Sequence, residues 1–335
     1  MTQRRVLVLY AGGTIGMAPS AQGYRPMADF AGVLRRQFAA CAGLPACEIV
    51  EMAEPIDSAN LQPAHWRAIA AELVARWDEW DGFVVLHGTD TMAWTASALS
   101  FMLLGADKPV ILSGAQIPLG QPRSDAAANL QGALALAADP RIREVALYFG
   151  GRLLRGNRSS KVHADRFAAF DSPNCLPLAE AGIGIVVHDD RLLRPGARDF
   201  ALPAFDRAAV AVLTVHPGLS APAVEALLGD PALRGLVLCS YGVGNAPDAD
   251  AQLLAALGVA VARGVVVVNI TQCVTGSVVQ GSYATGAALA RIGVVAGGDL
   301  TLEAAFAKLH VLIARGLTPA EIHDCLGRAW CGESS

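Results

Sequence analysis

The sequence predicts an α/β protein: a larger N-terminal domain with a mostly parallel sheet flanked by helices, and a smaller C-terminal α/β domain. Three observations carry this. Apolar β-branched runs alternate with helix-length amphipathic segments, which is the pattern of a parallel sheet covered on both faces. The 335 residues suit about two domains. Hydrophobic residues make up 53% of the chain, yet no apolar run reaches the ~20 residues that span a bilayer.

The elements follow in order. Val6–Tyr10 is a buried strand by its apolar, β-branched run, and Phe83–Leu86, Val110–Leu112 and Val145–Phe149 read the same way. Helical patterns lie between them, over Pro63–Trp77, Thr91–Leu104 and Ser124–Ala138. The stretch after Val187 carries charge clusters and prolines and breaks the rhythm, so 1–186 is expected as the N-terminal domain and 187–208 as a linker. A C-terminal domain, 209–335, resumes the alternation with strands Ala209–Thr214, Leu236–Ser240 and Val265–Ile270. Its helices are expected over Ala221–Leu228, Ala249–Arg263, Leu302–Ala314 and Pro319–Trp330, with Gly316 and Pro319 punctuating the last two. Ligands of such sheets sit at the carboxyl ends of strands, which singles out the loops after Tyr10, Leu86 and Leu112.

Composition narrows the partners. Net charge is -4, and pI is about 6.0 with mean hydropathy +0.40. Nothing here calls for nucleic acid or an acidic membrane surface. Only Lys108, Lys161 and Lys308 are lysines among 26 basic residues, so each is worth a separate reading, because a buried lysine can change protonation where arginine cannot. Cysteines at 41, 47, 175, 239, 273, 325 and 331 show no CxxC and no zinc spacing, and read mainly as small core residues. The apolar run Val6–Ala11 is shorter than the ~7–15 residues of a signal-peptide core, so a first strand and a reducing cytoplasm are expected.

Three motifs could carry chemistry. Ala11-Gly12-Gly13-Thr14-Ile15-Gly16 follows the first strand but lacks both nucleotide-loop spacings. Thr14 there either caps a helix or presents a hydroxyl at the strand end. Val85-Leu86-His87-Gly88-Thr89-Asp90-Thr91 ends the next strand, where Thr89 or Asp90 either caps the following helix or sets a second hydroxyl beside a carboxylate. Arg158-Ser159-Ser160-Lys161-Val162-His163 holds a lysine that is either solvated or a proton relay. No carboxylate-rich or H-x-x-x-H pattern supports a metal around His87. There is no G-x-S-x-G and no H-E-x-x-H, and an internal threonine needs a side-chain base to act as a nucleophile.

Together these pieces resemble the bacterial-type L-asparaginase family along almost the whole chain. The signatures are Leu9–Gly16 and Gly82–Thr91, with further likeness in Gly23-Tyr24, Asp57-Ser58, Ser113-Gly114-Ala115-Gln116, Arg123-Ser124-Asp125, Ser160-Lys161 and Tyr241–Pro247. The resemblance implies an amidohydrolase turning L-asparagine and water into L-aspartate and ammonia, with weaker action on glutamine and no cofactor or metal. Thr14 would be the nucleophile, and Tyr24, on a loop over Met17–Met27, would close over it. Thr89, Asp90 and Lys161 would form a second hydroxyl–carboxylate–lysine group. Asp57, Ser58, Gly88, Thr89, Asp90 and Ala115 would bind substrate, the Thr89 N–H and a water near Ala115 holding the oxyanion.

Ala11 stands where the first signature usually has threonine, and Ala59 replaces the glutamine of many exported members. The likeness is to the cytoplasmic type I subgroup, which implies a homodimer or homotetramer, with Asn245 of a neighbouring subunit completing the pocket. From the residues alone, Asn245 reads as a turn residue after Gly244. Some members carry an allosteric asparagine site near Thr271–Cys273. Cys239 takes the place of an arginine there and removes a bidentate carboxylate clamp, so allostery through Cys239, Thr271 and Cys273 is expected to be weak or absent. The competing readings are the asparaginase-like subunit of a tRNA-dependent amidotransferase, which would need a basic face, and a non-catalytic amino-acid sensor.

Overall fold

A computed structural model describes residues 4–21, 23–27, 29–38, 43–194, 196–279 and 284–335. Cys41 lies outside them, as do Gln22 of the 17–27 segment, Pro195 of the 187–208 segment and the three residues before Arg4. The chain divides into two compact units, Met1–Leu202 and Pro203–Ser335. That division falls inside the segment 187–208 expected to link the domains.

In the first unit the strands and helices run β1 (Arg5–Gly12), β2 (Met17–Ser20), β3 (Gly23–Pro26), α1 (Phe30–Phe38), β4 (Ala46–Ile56), α2 (Pro63–Ala75), β5 (Gly82–Leu86), α3 (Met92–Met102), β6 (Leu103–Leu104), β7 (Val110–Ser113), α4 (Ala126–Ala137) and β8 (Val145–Phe149). They continue through β9 (Arg152–Arg155), β10 (Ser160–Lys161), β11 (Phe170–Asp171), β12 (Ala179–Ala181), β13 (Ile185–Val187) and β14 (Asp199–Phe200). Eight strands form one sheet, ordered β13-β12-β9-β8-β7-β5-β1-β4. Pairings from β4 to β8 are parallel, and those from β8 to β13 are antiparallel. The central strands are apolar from end to end because both faces are covered: β5 and β8 are buried throughout, and β1 throughout after Arg5. Val6, Val8, Tyr10, Val84, Leu86 and Ile111 pack on Leu130 and Leu134 of α4.

Several segments differ from expectation. Met17–Met27, expected as a loop, holds the antiparallel ribbon of β2 and β3, its base tied by Met27 N–H donating to Gly16 O at 2.9 Å. β4, with three glutamates and mixed exposure, lacks an apolar run, because an edge strand need bury little. The helix expected to Leu104 ends at Met102, and Leu103–Leu104 pair as β6 with β14. Cysteines are less buried than expected. Of the six described, all free thiols, only Cys239 and Cys325 are buried, while Cys47 sits on the exposed edge strand and Cys273 in a loop.

The second unit holds β15 (Val210–Thr214), α5 (Ala221–Leu228), β16 (Gly235–Ser240), α6 (Ala251–Ala262), β17 (Val266–Thr271), α7 (Ala284–Arg291), β18 (Val295–Ala296), α8 (Leu302–Ala314) and α9 (Pro319–Leu326). Its four-stranded sheet, β15-β16-β17-β18, is parallel throughout. Thr318 and Glu321 start α9 with a reciprocal capping box, Pro319 standing at the first helical position. The helix expected to reach Trp330 stops at Leu326, because the chain beyond folds back onto a buried carboxylate. Glu333 accepts from the backbone N–H of Trp330 and Cys331 and from Lys308 Nζ, the last at 2.6 Å.

Candidate active site

Four neighbouring parallel strands, β4-β1-β5-β7, end side by side, so the loops that follow them converge. Two glycines let these loops approach closely. Gly13 has φ 94, and a Cβ on it would overlap the Gly88 backbone. A Cβ on Gly88 would overlap the Ser58 side chain. Only glycine fits such close approaches. The loops bearing Thr14, Ser58 and Thr89 are thereby held against one another. A hydroxyl bond reinforces the contact, Thr91 Oγ1 donating to Ser58 O at 2.8 Å.

Thr14 opens a short 3-10 turn, Thr14–Gly16, whose cap position is Gly13, so Thr14 does not serve as a helix cap. Its side chain is half-buried and bonded to none of the described residues. Thr89 is 7% exposed, and Lys161 Nζ donates to its Oγ1 at 2.9 Å and to Asp90 Oδ1 at 2.7 Å. Lys161 arrives on β10, which pairs with β11 through Lys161 and Phe170. Its side chain is 20% exposed, whereas that of Asp90 is 61% exposed and open to a cationic group. The N-cap of α3 is Thr91, whose side chain makes no bond to the helix's own N–H groups, so neither Thr89 nor Asp90 is used as a cap. Thr89, Asp90 and Lys161 therefore form one bonded group.

Ser58 is buried, and Asp57 caps the turn Ser58–Asn60, accepting from Ala59 N–H at 3.2 Å and from Asn60 Nδ2 at 3.1 Å. Ala115 is buried after β7, next to Gly114, whose N-terminal neighbour Ser113 pairs with Leu86. Tyr24 lies on β3 opposite Pro19, is 53% exposed, and makes no hydrogen bond to Thr14. One residue of this neighbourhood carried no assigned role from the sequence. Gln116 Oε1 accepts from Thr89 Oγ1 at 3.2 Å. The signal for it is the Ser113-Gly114-Ala115-Gln116 motif, which ends on an amide side chain.

His87 is buried with both ring nitrogens engaged. Nδ1 donates to Gly88 O at 2.8 Å, and Nε2 accepts from Thr95 Oγ1 at 3.0 Å. Burial lowers its pKa to about 4, and burial does the same for His310. At neutral pH His87 is thus an uncharged structural strut. The linkage has a definite sign: below about pH 6.5 the unfolded chain takes up protons that the folded chain refuses, so stability falls as pH drops toward 4. Melting temperature should decline between pH 6.5 and 4.5, and His87→Gln should flatten that slope; an unchanged slope would refute the assignment.

The other anticipated residues belong to the second unit. Asn245 closes a tight turn, its N–H donating to Tyr241 O at 2.8 Å. Cys239 is buried within β16, opposite Thr214 and Ile270, with its thiol pKa pushed up by burial. Thr271 ends β17 and accepts from Cys273 N–H at 3.0 Å, while Cys273 is exposed.

Comparison with known proteins places these features in a family. Residues 5–193 match the family described as Asparaginase, N-terminal, and residues 209–326 match the Glutaminase/Asparaginase C-terminal domain. The chain is 46% identical over 342 residues to L-asparaginase 1 of Escherichia coli, covering 99% of this chain and 98% of that one. Its structure is similar to a crystal structure of L-asparaginase I from Vibrio cholerae, with TM-score 0.90, 43% identity and both chains covered over 100%. The thermostable L-asparaginase from Thermococcus kodakarensis is also similar, with TM-score 0.88, 32% identity and 99% of each chain covered.

Proposed function

The chain belongs to the asparaginase family and hydrolyses L-asparagine to L-aspartate and ammonia, and we propose that it does so through a covalent ester on Thr14. In this reading Thr14 Oγ1 attacks the side-chain amide carbon. The resulting oxyanion is held by the Thr89 N–H and a water near Ala115. Collapse of the tetrahedral species expels ammonia and leaves a β-aspartyl ester, which water then hydrolyses to aspartate, freeing the hydroxyl. Splitting one amide hydrolysis into two acyl transfers lowers each barrier, and one oxyanion donor is typically worth about 3 kcal/mol.

The observation that supports it most is the Lys161 Nζ bonded to both Thr89 and Asp90, beside the contact between Gly13 and Gly88. Proton traffic then runs through Thr89 and Lys161, while Asp90, with its exposed carboxylate, takes the substrate ammonium. Ser58 and Gly88 meet the substrate α-carboxylate side, and Asp57 braces that turn. Tyr24 reaches Thr14 when the β2–β3 ribbon closes over bound substrate, excluding bulk water. The enzyme works in the cytoplasm as a homodimer or homotetramer, Asn245 of a neighbour completing each pocket. No helix among the described residues is long and apolar enough to cross a membrane.

Ammonia release from asparagine and from glutamine over a concentration series tests this. One extra methylene in the substrate should lower kcat/KM by about 10–200-fold. Both curves should be hyperbolic, because Cys239 offers a buried thiol instead of a guanidinium, and Thr271→Ala should leave them unchanged. No ammonia release from asparagine would refute the function. A sigmoidal curve that vanishes in Thr271→Ala would refute the absence of allostery.

A further inference from the structure

Both polar atoms of the Gln116 side chain are committed. Its Nε2 donates to Ala164 O and to Arg166 O, each at 3.1 Å. Carbonyl oxygens only accept, so both amide hydrogens are used and the orientation of the side chain is fixed. Oε1 then has to be the atom facing Thr89, 3.2 Å from Oγ1. An amide oxygen is also only an acceptor, so the Thr89 hydroxyl must spend its single proton on Gln116. That leaves the Thr89 oxygen as the acceptor toward Lys161 Nζ at 2.9 Å.

The main chain of Gln116 is anchored as firmly. Asp125 accepts from Gln116 N–H with both carboxylate oxygens at 3.1 Å, and from Ile117 N–H at 3.0 Å. Asn129 Nδ2 donates to Asp125 Oδ2 and to Gly114 O, each at 3.0 Å, and Asn129 Oδ1 accepts from Gly150 N–H at 3.1 Å. One side chain therefore joins the β7 loop, the Thr89 loop and the segment just after Lys161, on a base built by the start of α4.

We propose that Gln116 is a positioning residue that sets the direction of the Thr89 hydroxyl proton, holding it on the Gln116 amide oxygen so that the Thr89 oxygen keeps a lone pair toward Lys161 Nζ. This rests on the reading of Thr89, Asp90 and Lys161 given above. Gln116 acts through Thr89, to which its Oε1 is bonded, and has no bond to Thr14. It acts by fixing which partner of the Thr89–Lys161 hydrogen bond donates, and by clamping the Lys161 segment at Ala164 and Arg166.

The test is a double-mutant cycle on steady-state ammonia release. Gln116→Met keeps the length of the side chain and removes acceptor and donors together. It should lower kcat by about 10–100-fold, as a small misplacement of a reacting group does, while KM moves by less than about threefold because ground-state contacts persist. In a Thr89→Ser background, which keeps a hydroxyl, the same loss should appear. In a Thr89→Val background, with no proton to direct, Gln116→Met should cost less than about threefold further. Gln116→Asn, one methylene short of Thr89, runs the same cycle if the methionine variant does not fold. A full additional loss in Thr89→Val, or no loss in the wild-type background, overturns the proposal while leaving the reading of Thr89 intact. A Thr89→Val enzyme as active as wild type overturns that reading itself, and the proposal with it.

Discussion

Thr14→Ala is expected to abolish asparagine turnover, with kcat reduced by roughly 10⁴-fold or more, and to leave the fold intact. The magnitude follows from the role proposed for Thr14: deleting a nucleophile removes the covalent route outright, leaving only binding and oxyanion stabilisation. The fold is spared because Thr14 is half-buried, bonds no described side chain, and follows a turn made by Gly13, not by its own hydroxyl. Ammonia release and thermal melting measured on the same preparation check both halves. Asparagine binding by calorimetry should persist, since Ser58, Gly88 and Asp90 are untouched. Thr14→Ser should recover part of the rate. Near-normal ammonia release from Thr14→Ala would show that the ester forms elsewhere or not at all.

Glu333→Ala produces the largest expected loss of stability. Lys308 is 1% exposed and Glu333 0%, and their charged atoms lie 2.6 Å apart. Lys308 Nζ also donates to Arg328 O at 2.8 Å. Removing one partner of a buried pair strands the other charge without water, at a cost of about 3–5 kcal/mol. The same change frees the N–H groups of Trp330 and Cys331, so the segment after α9 loses its anchor. Melting of the intact protein should fall by roughly 10 °C at neutral pH, at about 2–4 °C per kcal/mol. Replacing both partners, Lys308→Met with Glu333→Leu, should restore much of the loss, because an apolar pair needs no hydration. A single variant that melts within about 1 °C of wild type would contradict this account.

What could be read from the sequence depended on how local each signal was. β1, β5, β7 and β8 announced themselves because central parallel strands are apolar on both faces. β4 hid behind three glutamates that an edge strand can leave in solvent. β9, β12 and β13 are three or four residues long and antiparallel, too short for a pattern to show. Lys161 stood out because lysine is scarce in this chain, but its partner Thr89 lies 72 residues away, a distance no spacing rule covers. Gln116 sits within a motif without a legible task, since an amide shows its use only once its neighbours are placed. Lys308 stands out for the rarity of lysine as well, and its buried carboxylate partner lies 25 residues on.

The keyed contact between Gly13, Gly88 and Ser58 bears on how this enzyme could be re-engineered. Where strand ends interlock through peptide units, the spacing of the hydroxyls is inherited from the backbone and is closed to codon choice. A mutagenesis library aimed at amide preference should therefore leave both glycines fixed. Its diversity belongs at small residues that have room to grow, and the exposed Ala59, one step beyond Ser58, is the first such address.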